Sequence, residues 1–303
     1  MNFLPLTVSD YQTVKGFFND QPYSLSIYSP ASLIAWGDAK YKSLYAVAEG
    51  ILFIAGESKE HPEQRHLILP VSGARDFPLG ELHHFARKLG FPRFWYVPSD
   101  YLEKADQSEL QALFTIEEQE EYADYVYLTE DLIRLKGNKY AKKRNLIHQF
   151  SREYLWKDRV SIETIDSRQV DECLHFLEAW CDERSCEIEE KSGLACEKDA
   201  VTTTLKHIEE LESTGILIRI DGKVSAFGIG SRLNRTTATL NFEKAFAGIK
   251  GLYQFLDNEC AKRLFAAYRY INKESDMNLP NLAESKKSYH PISRIKSFAL
   301  HLR

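Results

Sequence analysis

At 303 residues the chain exceeds the roughly 100–200 residues of one domain, and its 44% hydrophobic and 27% charged content argues against disordered and fibrous classes. A net charge of −5 gives no global attraction for nucleic acid, so any polyanion would have to be held by a local patch. The five cysteines (Cys173, Cys181, Cys186, Cys196, Cys260) are odd in number and form no CxxC pair, which argues against a disulfide framework or zinc site and for free thiols in a reducing cytosol.

The N-terminus MNFLPLTVSDYQ lacks the regions of a signal peptide, and no run reaches the about 20 apolar residues of a membrane span; the sequence predicts a cytoplasmic protein with no transmembrane segment. A helix is predicted over 9–19, capped by Ser9 or Asp10. Residues 45–55 (YAVAEGILFIA) read as a hairpin turning at Glu49-Gly50, and 66–71 as a third strand ending at Ser72-Gly73. A helix over 79–89 and a short buried strand at 94–97 (FWYV) follow. The run EEQEE at 117–121 reads as solvated surface, with a strand after it at 125–128.

The segment LKGNKYAKKRNLIHQFSREY has no acidic residue between Asp131 and Glu153. A boundary near Gly137 divides the chain into an N-terminal unit, 1–136, and a C-terminal unit, 137–303, which opens with a basic inter-domain helix over 137–155. A strand at 160–165 and helices at 170–181 and 200–211 come next. The run 215–230 (GILIRIDGKVSAFGIG) is a hairpin turning at Asp221-Gly222, and 236–243 (TTATLNFE) is a strand. A Gly-bearing loop, an amphipathic helix at 252–264, a strand near 270–271, a short helix and a strand at 295–302 complete the chain. This order resembles an acetyltransferase-like unit. Two in tandem, with no repeat visible in residues, make a mixed α/β (α+β) fold of two GNAT-like domains.

Five constellations could carry chemistry. On a helical wheel Lys139 and Lys143 fall within the apolar arc of Leu146, Ile147, Phe150 and Tyr154, with Lys142 and Arg144 flanking it. This is either a solvated turn or an anion site for a phosphate-bearing ligand. In KAFAGIKGLY (244–253), Gly248 and Gly251 precede a helix N-terminus that could cradle phosphate, or form a tight turn. Strand alternation puts Ala238, Leu240 and Phe242 on one face and Thr239, Asn241 and Glu243 on the other. Glu243 is a general base or the ion-pair partner of Lys244, Lys139 or Lys143. In NKESD an extended backbone puts Asn272, Glu274 and Asp276 on one side, able to orient an amine and take its proton; otherwise Asp276 caps a helix. Tyr289 could protonate a leaving group and Lys286 hold phosphate, or both lie on a solvated turn.

Read together, GNKYAKKRNLIHQF (137–150), NFEKAFAGIKGLYQFLDNE (241–259) and YINKESDMNLPNLAESKKSYHP (270–291) resemble the C-terminal domain of phosphatidylglycerol lysyltransferases and its stand-alone relatives. The resemblance implies tandem acetyltransferase-like units and transfer of an aminoacyl group from charged tRNA to a lipid or peptide acceptor, with peripheral membrane contact open. For such a transfer Lys139, Lys142, Lys143, Arg144, Asn145 and Lys286 are assigned to phosphate and Glu243 or Asp276 to the base role. Family members typically carry an arginine where Lys273 stands, an acidic-then-glycine run at Asp276-Met277-Asn278 and Gly-Leu-Arg at Asn281-Leu282-Ala283. No resident cofactor or metal is implied. Acetyl-coenzyme A is the alternative donor, and a catalytically silent module that binds nucleic acid or protein is the alternative from another class.

Overall fold

The computed structural model describes residues 1–37, 41–184 and 194–303. Strand β1 (Leu4–Pro5) and helices α1 (Tyr11–Phe18) and α2 (Pro30–Ala35) lead into a hairpin of β2 (Tyr41–Ala48) and β3 (Ile51–Ser58). Glu49 and Gly50 take φ of 54° and 73°, the type I′ geometry whose twist matches paired strands. Asp10, one of the two expected caps, is the N-cap residue of α1, and its Oδ2 accepts from the N–H and Oγ1 of Thr7 at 2.9 and 2.6 Å across the preceding 3-10 turn; Ser9 is not the cap.

The third predicted strand shrinks to β4 (His66–Leu67), beyond which single rungs continue to β3. Helix α3 (Leu79–Leu89) ends on Gly90 at φ 72°, and β5 (Arg93–Pro98), α4 (Ser99–Leu102) and α5 (Gln107–Leu113) follow. The EEQEE segment lies at the surface, with Glu117, Glu118 and Glu120 exposed, but it is not irregular. It is the middle of β6 (Phe114–Leu128), a strand of 15 residues. Its glutamates reach solvent or the strand margin, while buried Gln119 accepts from Tyr96 N at 3.0 Å and Ser297 Oγ at 3.1 Å. Pairing with the terminal strand β12 (Ser293–Leu302) satisfies the backbone along this glutamate run, so tertiary context overrides poor strand propensity.

Helices α6 (Thr129–Arg134) and α7 (Ala141–Glu153) are joined through Gly137 at φ 83°. Strand β7 (Val160–Thr164) precedes α8 (Val170–Arg184) and α9 (Leu194–Lys206). The second helix predicted, over 200–211, therefore starts earlier and gives way to turns after Lys206. The hairpin β8 (Thr214–Ile220) and β9 (Lys223–Arg232) turns at Asp221 and Gly222, with φ of 51° and 80°. Strand β10 (Thr237–Ala245), α10 (Leu252–Arg263), β11 (Tyr270–Asn272) and α11 (Pro280–Lys287) then precede β12.

Among the described residues all twelve strands form one mixed sheet, ordered β1-β2-β3-β4-β5-β12-β6-β11-β10-β9-β8-β7. The last strand thus inserts beside β5, next to the first half of the chain. One apolar cluster fills the N-terminal half; in the C-terminal half α7 and α10 cover one face of the sheet and α8 and α9 the other. Cys173 and Cys260 are buried free thiols and Cys181 is buried, whereas Cys186 and the Cys196 side chain lie outside the described residues. No helix among the described residues is long and apolar enough to cross a membrane.

Two strand pairs are parallel, β4 with β5 across α3 and β10 with β11 across α10. Their last rungs are Leu67 with Phe94 and Thr239 with Asn272. Two residues further on, Tyr96 and Glu274 both adopt positive φ, 56° and 58°. Such a backbone costs a residue with a side chain roughly 1–3 kcal/mol, so its recurrence at one spot in both halves is a backbone repeat that the residues conceal. In the N-terminal half the parting strands are plugged. Buried Tyr28 accepts from Leu69 N at 3.2 Å on one arm and donates to Tyr96 O at 3.0 Å on the other. The C-terminal parting is lined by charged side chains instead.

Candidate active site at the parting of β10 and β11

Strands β10 and β11 share three rungs, 237–239 against 270–272, and then separate. At that point β10 bulges: Leu240 pairs with Gly230 and Phe242 with Ile229, leaving Asn241 as the extra residue. The bulge corrects the face assignment expected from simple alternation. Ala238 and Leu240 pack into the α10 core, Phe242 packs with α8 and α9, and Glu243 turns toward α10. Re-aiming a side chain is what bulges beside functional sites do.

Glu243 meets Lys273, the first residue after β11, at 3.3 Å, and the same ammonium lies 2.8 Å from Asp257 of α10. Its ion-pair partner is thus none of Lys244, Lys139 and Lys143; Lys244 pairs with Glu197 at 2.7 Å. Burial pushes the Glu243 carboxyl up to about 7, Lys273 opposing this and Asp257 adding to it. Burial pulls Lys273 down, but Asp257 and Glu243 outweigh it and hold the ammonium well above its ordinary value. Lys143 reaches the cluster from α7, with Nζ 2.7 Å from Ser288 Oγ and 3.7 Å from the centre of the Tyr289 ring. Burial draws Lys143 down to about 8, partly offset by Asp257. The Tyr289 hydroxyl is pushed far up by burial and then by Asp257 and Glu243, so it stays protonated.

On the opposite face of the sheet, Asn241 donates to Glu274 at 2.9 Å and to Ser32 Oγ at 3.0 Å. Burial, then the charge of Asp124, raises Glu274 to about 8. Asn272 donates to Asp124 at 2.8 Å and to Ser24 O at 3.0 Å, while its own oxygen accepts from Glu274 N at 2.7 Å. The two arms are therefore bridged twice, Glu243 to Lys273 on one face and Asn241 to Glu274 on the other.

The expected shared side of Asn272, Glu274 and Asp276 is not formed, because positive φ at Glu274 breaks the extended alternation. Asp276 turns instead to the Tyr125 hydroxyl at 2.5 Å, Asn278 N at 3.0 Å and Arg294 at 3.7 Å, an anchor for its own loop. Lys286 is half-buried and donates to the carbonyls of Lys273, Glu274 and Ser275, latching the arm that carries Lys273. It is not on a solvated turn.

Only Lys143 of the basic helix enters the cluster. Lys139, predicted within the apolar arc, is exposed and pairs with Asp131 at 3.2 Å, because 138–140 form a separate 3-10 turn before α7 begins. Arg144 turns back to the carbonyls of Leu135 and Gly137, closing the end of α6. Lys142 and Asn145 lie on the exposed outer side of α7. Gly248 is open, but Gly251, at φ 85°, is pressed against α7: a Cβ there would lie 2.2 Å from Leu146 O. Asp257 and Asp124 escaped the sequence reading, and Lys273 was marked only as the place of a family arginine. The signal for Asp257 was its place directly after Phe255 and Leu256 in the buried stripe of α10, where a carboxylate must have a partner.

The model of the family described as phosphatidylglycerol lysyltransferase, C-terminal, matches residues 23–301. A conserved protein of unknown function from Bacteroides thetaiotaomicron is similar at TM-score 0.89 and 29% identity, over 100% of both chains. The C-terminal domain of a putative lysylphosphatidylglycerol synthetase from Agrobacterium fabrum is similar at TM-score 0.65 and 18% identity, over 96% of this chain and 91% of that one. No match is found among curated proteins. By the extent of that family match, the chain belongs to the phosphatidylglycerol lysyltransferase C-terminal-domain family.

Proposed function

We propose that the protein is an acyltransferase that moves an aminoacyl group from charged tRNA to an amine or hydroxyl of a lipid or peptide acceptor. Family membership supports the reaction class, and the observation that carries the reading is Glu243: a half-buried carboxyl at the strand parting, raised to about 7, is poised to gain and lose a proton near neutrality. The acceptor gives its proton to Glu243 and its lone pair attacks the ester carbonyl carbon. The ester C–O bond then breaks, and the tRNA 3′ oxygen leaves with a proton from Lys143, which its depressed value makes a ready donor. Lys273 and Asp257 hold Glu243 in place, and Tyr289 supports Lys143 through its ring face. Transfer is direct, and the cytoplasm, where charged tRNA forms, is the compartment this reading requires.

Acetyl-coenzyme A is the weaker donor. The first turn of α10, which would cradle its pyrophosphate, is packed against Leu146 of α7. The test is a pool of charged tRNAs offered to the purified protein with lipid and peptide acceptors, and acetyl-coenzyme A offered in parallel. Glu243→Gln should lower turnover by about 10²–10⁴ without altering RNA affinity. No aminoacyl transfer to any acceptor would sink the proposal, and RNA binding without turnover would mark a binding module.

A further inference from the structure

Helix α7 is charged on two sides for two different reasons. Its inner side carries Lys143 into the cluster and packs Leu146 and Phe150 against the start of α10. Its outer side carries Lys142, Asn145, His148 and Arg152, all exposed and spaced by three or four residues, and Trp156 follows in the 3-10 turn Leu155–Lys157. In a chain of net charge −5, residues 136–159 hold eight Lys or Arg against two Asp or Glu. Among the described residues Lys142 and Arg152 have no ionic partner. Trp156 is 61% exposed, the most open of the large hydrophobic residues among the described residues, and stands edge-on to His148 with ring centres 5.0 Å apart.

We propose that this outer face is a docking site for the single-stranded end of an RNA, with Trp156 as the platform on which a base stacks and Lys142 and Arg152 as phosphate contacts. The inference rests on the donor reading above only in choosing RNA as the polyanion. Charge complementarity selects an anion, and the exposed indole of Trp156 selects one with a flat face. An anionic membrane surface fits less well. A helix that lies in a bilayer interface needs a free apolar side, and that of α7 is consumed by α10, with Phe150 fully buried. From Trp156 back to Lys143 the chain rises about 20 Å, a reach suited to a short unpaired segment that runs from the outer face to the cluster.

Uncharged tRNA, intact or trimmed of its single-stranded 3′ end, tests the site by titration across a salt series, with phosphatidylglycerol vesicles as a parallel arm. Intact tRNA should bind and trimmed tRNA bind more weakly. Trp156→Ala should lower affinity for intact tRNA on the order of tenfold, and Trp156→Phe should retain most of it. The double variant Lys142→Ala with Arg152→Ala should flatten the logarithmic salt slope by about 1.4. All three positions are exposed, and circular dichroism checks that the variants fold. Equal binding by Trp156→Ala and the parent, equal binding of trimmed and intact tRNA, or binding to vesicles alone would overturn the proposal. Because the tRNA is uncharged, failed aminoacyl transfer would count against the proposed reaction and leave this site standing.

Discussion

The ammonium of Lys273, on the β11 arm, lies 3.3 Å from the carboxylate of Glu243 on the β10 arm, so two strands that part in the backbone are rejoined by charge. Asp257 anchors the same ammonium at 2.8 Å from α10. Removing it leaves buried Asp257 and half-buried Glu243 without a counter-charge. Lys273→Met should therefore destabilise the fold by about 3–5 kcal/mol in urea denaturation, while Lys273→Arg, which keeps the charge, should recover most of the loss. A methionine variant as stable as the parent would mean that the carboxylates are satisfied by other groups.

Glu243 links the site to pH. Its carboxyl is raised from 4.5 to about 7, so the folded chain holds that proton more tightly than the unfolded chain does. Its contribution to stability is complete below about pH 4.5 and is lost as pH rises through 7. Glu243→Gln should remove that decline, which paired denaturation curves at several pH values will show. Activity should run the other way: it rises as Glu243 loses its proton near 7 and falls as Lys143 loses its own near 8. A low-pH limb of the profile that persists in Glu243→Gln would assign the base elsewhere.

Gly248 and Gly251, three residues apart in one loop, should respond differently to alanine. A Cβ at Gly251 would meet the Leu146 carbonyl at 2.2 Å on a backbone with φ of 85°, and neither α7 nor α10 can yield. A loss of more than about 2 kcal/mol is expected, combining strain with overpacking. Gly248→Ala meets nothing within 4 Å and should stay within about 0.5 kcal/mol of the parent. Thermal melts of the pair give the contrast directly, and equal melting points would refute it.

Tyr28 should matter for stability and not for transfer. Its hydroxyl joins both arms of the N-terminal parting, so Tyr28→Phe leaves a buried N–H and a buried carbonyl unpaired at about 1–3 kcal/mol. Turnover per folded molecule should be unchanged. A selective loss of turnover would give the N-terminal half a direct part in the reaction.

How much of this was legible is clearest at particular elements. The hairpins at Glu49-Gly50 and Asp221-Gly222 announce themselves, because two adjacent positive-φ residues are demanded locally and few residue pairs meet the demand. The helix at 79–89 was equally readable, ending on Gly90 as its chemistry dictates. The glutamate run in β6 was not, since its strand character comes from a partner nearly two hundred residues away. Among site residues, Glu243, Lys143 and Tyr289 could be singled out from their positions, whereas Lys273 and Asp257 could not, because a buried ion pair is a property of two segments and neither declares it alone.

Local periodicity, turn chemistry and the concentration of basic residues around α7 were determined by the sequence by itself, since each depends on neighbours a few positions apart. Which side of β10 Glu243 faces, which lysine meets it, and which half of the repeated parting carries the charged cluster were decided only in the tertiary structure. A bulge at Asn241 arises from the register between β9 and β10, and Tyr28 plugs the first parting from a distant segment; pairing between remote segments sets both.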